Sequence, residues 1–145
     1  MERLKSNKGA LILFISTIAL IVLAVIGMVT VFTNMEFIKN AAKESINDSG
    51  ASQDDINLAI NIAVAGVWVS IVIEAIVTLF VALCGFKCSL KGQWRIGAIV
   101  FGVLYVISQI SGLFGSNPTV TIVINVISLV ASIGYLAGAI LAKNE

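Results

Sequence analysis

The sequence predicts an all-α, polytopic integral membrane protein: four transmembrane helices in an antiparallel bundle, with a short extracellular amphipathic helix between the first two. Three observations predict it. Of 145 residues, 59% are hydrophobic and 12% charged, against about half and about a quarter in a soluble domain. A hydrocarbon core about 30 Å thick needs about 20 apolar residues in helix, and such runs occur at Ala10 to Phe32, Leu58 to Cys84, Ile96 to Phe114 and Val120 to Ala142. The runs are continuous rather than alternating, and lipid cannot hydrogen-bond a bare backbone, so helices are favoured over a barrel. Residues 1–145 read as one transmembrane domain.

The composition also excludes. A formal charge of +1 leaves no basic surplus for nucleic-acid phosphates. The chain has no histidine, which removes the commonest metal ligand and general base. No cofactor and no metal site are expected.

Arg3, Lys5 and Lys8 precede the first run, whose length exceeds the 7–15 apolar residues of a signal peptide. No small-x-small cleavage site follows, so it is expected to stay as the first helix. In the loop from Thr33 to Ile56, Met35, Ile38, Ala42 and Ile46 recur at helical spacing, and Glu36 sits in the first turn, where the helix dipole favours an anion. Asn47-Asp48-Ser49-Gly50 reads as its stop. A helix lying on the outer membrane surface is favoured over a receptor-like element, because interfacial amphipathic helices need no partner.

Ser52 and Asp55 resemble a capping box, placing the start of the second span near Gln53. That makes the helix too long for one bilayer, with Asn57 and Asn61 above the membrane, Trp68 near its outer interface and Glu74 close to mid-depth. Trp94 and Arg95 in the inner loop, Gly85 to Arg95, anchor the third span. Gly115-Ser116-Asn117-Pro118 is an uncharged turn that joins the third and fourth spans as a hairpin.

Arg3, Lys5, Lys8, Lys87, Lys91, Arg95 and Lys143 fall on one side of these spans, and only Lys39 and Lys43 on the other. The positive-inside bias therefore puts both termini in the cytoplasm of a plasma-membrane protein.

Glu74 is the one Asp, Glu, Lys or Arg inside a predicted span. Gly66, Ser70, Glu74 and Thr78, four apart, form a small and polar stripe expected to turn away from lipid. A charged carboxyl costs at least about 2.5–3.5 kcal/mol near the bilayer centre. Glu74 is thus either a proton or cation site or a neutral carboxyl bonded to Ser70, Thr78 or a neighbouring helix. On the fourth span Thr121, Asn125, Ser128, Ser132, Tyr135 and Ala139 share a face. On the third, Ala98, Gly102, Tyr105, Gln109 and Gly112 do the same, so the two stripes can zip the hairpin, with Gln109 near Asn125. Gly134 and Gly138 form a GxxxG that permits close approach within the bundle or in a homo-oligomer. Cys84 and Cys88, without further ligands, read as inert thiols.

The stretch from Trp68 through Cys84-Gly85-Phe86-Lys87-Cys88, and then Lys91-Gly92-Gln93-Trp94-Arg95-Ile96-Gly97-Ala98 with the third span, resembles the central hairpin of small four-helix membrane proteins of unknown function from Gram-positive bacteria. The resemblance covers about half the chain and implies a bacterial plasma membrane and no catalytic residues.

The expectation is a non-enzymatic protein acting by assembly: an accessory subunit, envelope-stress factor or self-immunity protein. Its partners would be the lipid bilayer and a second copy or another membrane protein. The competing expectation is a small proton- or cation-coupled transporter or channel centred on Glu74. A membrane-embedded enzyme lacks the paired acid, metal ligands or nucleophile and base it would need.

Overall fold

The computed structural model describes residues 2–47, 50, 52–113 and 119–142, and the side chains of all of these except 112, 113 and 119–122. The regular elements among them are all helices: α1 Glu2–Ser6, α2 Lys8–Thr33, α3 Met35–Asn47, α4 Gln53–Lys91, α5 Arg95–Leu113 and α6 Thr119–Leu141. Three are long and apolar enough to cross a membrane: α2, α4 and, within α6, Val123–Leu141. The stretch Arg95–Ser111 of α5 is apolar but shorter.

Local chemistry sets the helix ends. The Ala10 N–H donates to Asn7 Oδ1 at 3.0 Å, so Asn7 caps α2 and separates it from α1. Ser52 N–H and Oγ donate to Asp55 Oδ2 at 3.3 and 2.6 Å, and the Asp55 N–H returns a bond to Ser52 Oγ at 3.3 Å. This is the reciprocal box expected from the sequence, with Asp in place of Glu, and α4 starts at Gln53 as that box requires. The helix then runs past the apolar segment to Lys91. It stops at Gly92, whose φ of 69° and N–H bond to the Cys88 carbonyl, 3.0 Å, make a left-handed C-terminal cap. At 39 residues α4 is about 58 Å long, far more than one hydrocarbon core. The expected turn at Gly115 to Pro118, together with Asp48, Ser49 and Lys143, lies outside the described residues.

Contacts group the chain into two compact units, Met1–Leu23 with Val77–Glu145, and Ala24–Ile76. In the first, Ala10, Leu13, Leu20, Val81, Cys84, Cys88, Ala98, Tyr135, Ala139 and Ala142 form the core. Large aliphatics such as Ile15 on α2, Leu104 on α5 and Val130 on α6 point outward. A core rich in alanine and cysteine with large aliphatics outside is unlike a soluble fold, and the small residues let helix backbones approach closely. Against α2, Gly9 meets Leu141 and Ala142, Leu13 meets Gly138, and Ser16 meets Gly134. Between α4 and α5, Cys84 lies beside Gly97 and Phe80 stacks on Phe101 at 6.3 Å. In each pair, residue numbers rise on one helix as they fall on the other.

The second unit is thinly packed. Its buried apolar residues are Ala24, Ile56 and Ile71, and Phe32 meets Trp68 edge-on at 5.2 Å. The α3 helix forms where its periodicity predicts, with Met35, Ile38, Ala42 and Ile46 half-buried and Phe37 exposed.

Candidate functional site

In the first unit Ser16, Thr17, Ser89, Ser128 and Ser132 are buried, whereas Ser108 and Ser111 of α5 are exposed. Ser128, Ser132, Tyr135 and Ala139 of α6 are buried, and Asn125 is half-buried. Ser132 Oγ donates to the Ser128 carbonyl at 2.7 Å, a bond within its own helix. Within the spans, two tyrosines bond between helices. Tyr135 OH donates to the Val81 carbonyl of α4 at 2.9 Å, and Tyr105 OH of α5 lies 3.3 Å from Thr78 Oγ1. Gly102 lets α5 press on Leu136, where a Cβ would come within 3.1 Å of the Leu136 Cα. No hydrogen bond joins Gln109 to Asn125 among the described residues; both are half-buried. Gly112 and Thr121 lie outside the residues whose side chains are described.

The GxxxG is used inside the chain. A Cβ on Gly138 would strike the backbone N and Cα of Leu13, and one on Gly134 would meet Ser16 Oγ. The tightest point is a junction of three helices at Gly85, where a Cβ would run into Thr17 of α2 and Tyr135 of α6. Thr17 is fully buried and its hydroxyl donates to the Leu13 carbonyl at 2.7 Å. Ser16, Thr17 and Gly85 had no role assigned from sequence. The signal was present, since Ser16 and Thr17 are small polar residues within the otherwise aliphatic start of α2, but nothing in a one-dimensional reading says which of its faces meets α6.

Cys84 and Cys88 are buried free thiols. Among the described residues no group of three acidic or sulfur ligands could hold a metal.

Glu74 behaves differently. It belongs to the second unit, is exposed, and its carboxyl faces Gly27, with Oε1 3.8 Å from where a Gly27 Cβ would stand. The two expected partners on its own stripe are engaged elsewhere: Ser70 Oγ donates to the Gly66 carbonyl at 2.9 Å and Thr78 pairs with Tyr105. A helical hydroxyl reaches its own carbonyl one turn back more readily than a side chain four residues on. Nothing lies within 4 Å of a Cβ built on Gly66. The stripe expected to turn away from lipid is therefore left uncovered by the described residues along Gly66, Ser70 and Glu74.

The fold and these polar faces define a class: a helical protein with apolar helices of membrane-crossing length, packed on small residues and carrying in the middle of one of them an acid, Glu74, with no partner among the described residues. No protein-family model, curated protein or solved structure matches the chain.

Proposed function

We propose that the protein spans the membrane four times and works by associating with another transmembrane helix through the Gly66, Ser70 and Glu74 face, without a catalytic role. The fourth span in this reading is α5, whose 19 residues reach about 28 Å, close to the hydrocarbon thickness. Both termini then lie on the inner side of the plasma membrane, α3 rests on the outer surface, and the spans alternate as an antiparallel bundle. The observation that carries the reading is the Glu74 carboxyl, exposed in the middle of an apolar helix with no hydrogen bond or ion pair among the described residues. Such a group in hydrocarbon calls for a donor from outside the chain.

The test is association in native membranes and mild detergent, read by cysteine cross-linking and by size. The parent protein runs as an assembly, Glu74→Leu falls to monomer, and Glu74→Gln, which still offers hydrogen bonds, stays partly associated. A monomer in every condition would remove the proposal. Cation or proton flux in liposomes that Glu74→Gln abolishes would replace it with transport.

A further inference from the structure

The charges of this chain are sorted between its units. Residues 1–23 with 77–145 hold seven Lys and Arg against two Glu, whereas residues 24–76 hold two Lys against six Asp and Glu, together giving the +1 of the whole. In the first unit, every described cation lies on α1, at the start of α2, or at the junction of α4 and α5: Arg3, Lys5, Lys8, Lys87, Lys91 and Arg95. Glu2 is that unit's single described carboxylate, and among the described residues no salt bridge neutralises Lys5, Lys8, Lys87, Lys91 or Arg95.

The same end has a shape. An open depression is lined by Gly92, Gln93, Trp94, Arg95 and Ile96. The guanidinium of Arg3 comes up beside Gly92, and the Lys87 ammonium stands 4.8 Å from the centroid of the Trp94 ring, a cation–π contact that fixes its position. Trp94 is half exposed with φ 60°, an uncommon backbone conformation for a bulky residue, and one that concentrates at functional sites. Arg95 is held in place by donating from Nε to the Ala139 carbonyl at 3.1 Å and from Nη2 to the Ile140 carbonyl at 2.6 Å.

We propose that this depression binds the phosphate headgroup of an anionic phospholipid, with Arg3 and Lys87 on the phosphate and the Trp94 indole at the glycerol level. Two features select a lipid over a free anion. The cations sit where apolar spans end, at Lys8, Lys91 and Arg95, which is the headgroup level. An exposed indole beside them is the side chain enriched at that level. Basic pockets between helix ends on the inner face are sites for such headgroups, each cation contributing about fivefold in preference, the equivalent of about 1 kcal/mol. The proposal rests on the helices spanning a membrane but not on Glu74, so either can fail alone.

The chain has two tryptophans, so Trp68→Phe leaves Trp94 as the only indole. That variant is reconstituted in phosphatidylcholine vesicles containing a minor fraction of either phosphatidylglycerol or phosphatidylcholine with brominated acyl chains, and Trp94 quenching is read. Brominated phosphatidylglycerol quenches more strongly at equal fraction, Lys87→Gln lowers that preference about fivefold, Lys87→Arg keeps it, and Lys39→Gln on α3 leaves it unchanged. High salt reduces it in the Trp68→Phe chain with Lys87 intact, which decides the matter if Lys87→Gln does not fold. Equal quenching by the two lipids, a preference that survives salt or Lys87→Gln, or full competition by soluble glycerol phosphate would overturn the proposal.

Discussion

Gly134 and Gly138 on α6, and Gly66 and Ser70 on α4, have the same signature, small residues four apart on an apolar helix, and opposite fates. The first pair is pressed against Ser16 and Leu13 of α2. On the second, the Gly66 surface meets nothing within 4 Å. What separates them is the company they keep. The α6 glycines continue into Tyr135 and Ala139, both buried, and α2 answers with small residues of its own at Gly9 and Ser16. The α4 stripe leads instead to Glu74, which α2 meets with Gly27 and no donor. Small-residue spacing states that a backbone can be approached; the neighbouring polar groups decide whether the chain itself can supply the approach.

The largest test of this contrast is a paired substitution. Gly138→Leu drives a side chain into the Leu13 backbone, which a rotamer change cannot relieve, so the loss lies at the upper end of overpacking, about 3 kcal/mol. Gly66→Leu meets open space, and the better helix former adds up to about 1 kcal/mol. Reversible unfolding in mixed detergent and SDS micelles measures both. Equal losses would erase the distinction between the two faces.

Tyr135→Phe is the next step down. It removes the hydroxyl bonded to the Val81 carbonyl, an interhelical bond worth about 1 kcal/mol in a membrane protein. Ser132→Ala removes a hydroxyl that serves only its own helix, and the same unfolding assay should show a smaller loss than Tyr135→Phe, since no bond between helices is forfeited. If the serine proves the costlier loss, the polar stripe of α6 acts across helices in a way that its geometry does not suggest.

Much of this was legible in the sequence. Apolar run length located the helices to within a few residues for α2, α5 and α6, because a membrane-spanning segment is defined by composition over many positions. The Ser52 and Asp55 pair located the start of α4, because a cap is a local bond between residues three apart. The partners of the polar residues in the spans were not legible. The zip between Gln109 and Asn125, and the bonds from Ser70 or Thr78 to Glu74, assumed that polar neighbours find one another. In the structure Ser70 and Ser132 fold back on their own carbonyls, and Thr78 pairs with a tyrosine 27 residues away. Choosing among such partners depends on helix rotation and register, which no single span encodes.

The smallest effect bears most directly on the open face. At Gly27 a Cβ would lie 3.8 Å from Glu74 Oε1 and meet nothing closer, an ordinary contact. Gly27→Ala therefore fits, and replacing a mid-helix glycine contributes at most about 1 kcal/mol. Unfolding in micelles should show no loss. Glu74→Leu should be equally silent there, within about 0.5 kcal/mol, since the carboxyl bonds to nothing described in its own chain. If Glu74 instead held the two helices together through a bond of its own, Glu74→Leu would cost folding stability on the scale of Tyr135→Phe, and Gly27→Ala, by crowding the carboxyl, would cost part of it. Two silent variants beside a destabilising Tyr135→Phe would place the work of Tyr135 in the fold and leave Glu74 to whatever meets it from outside.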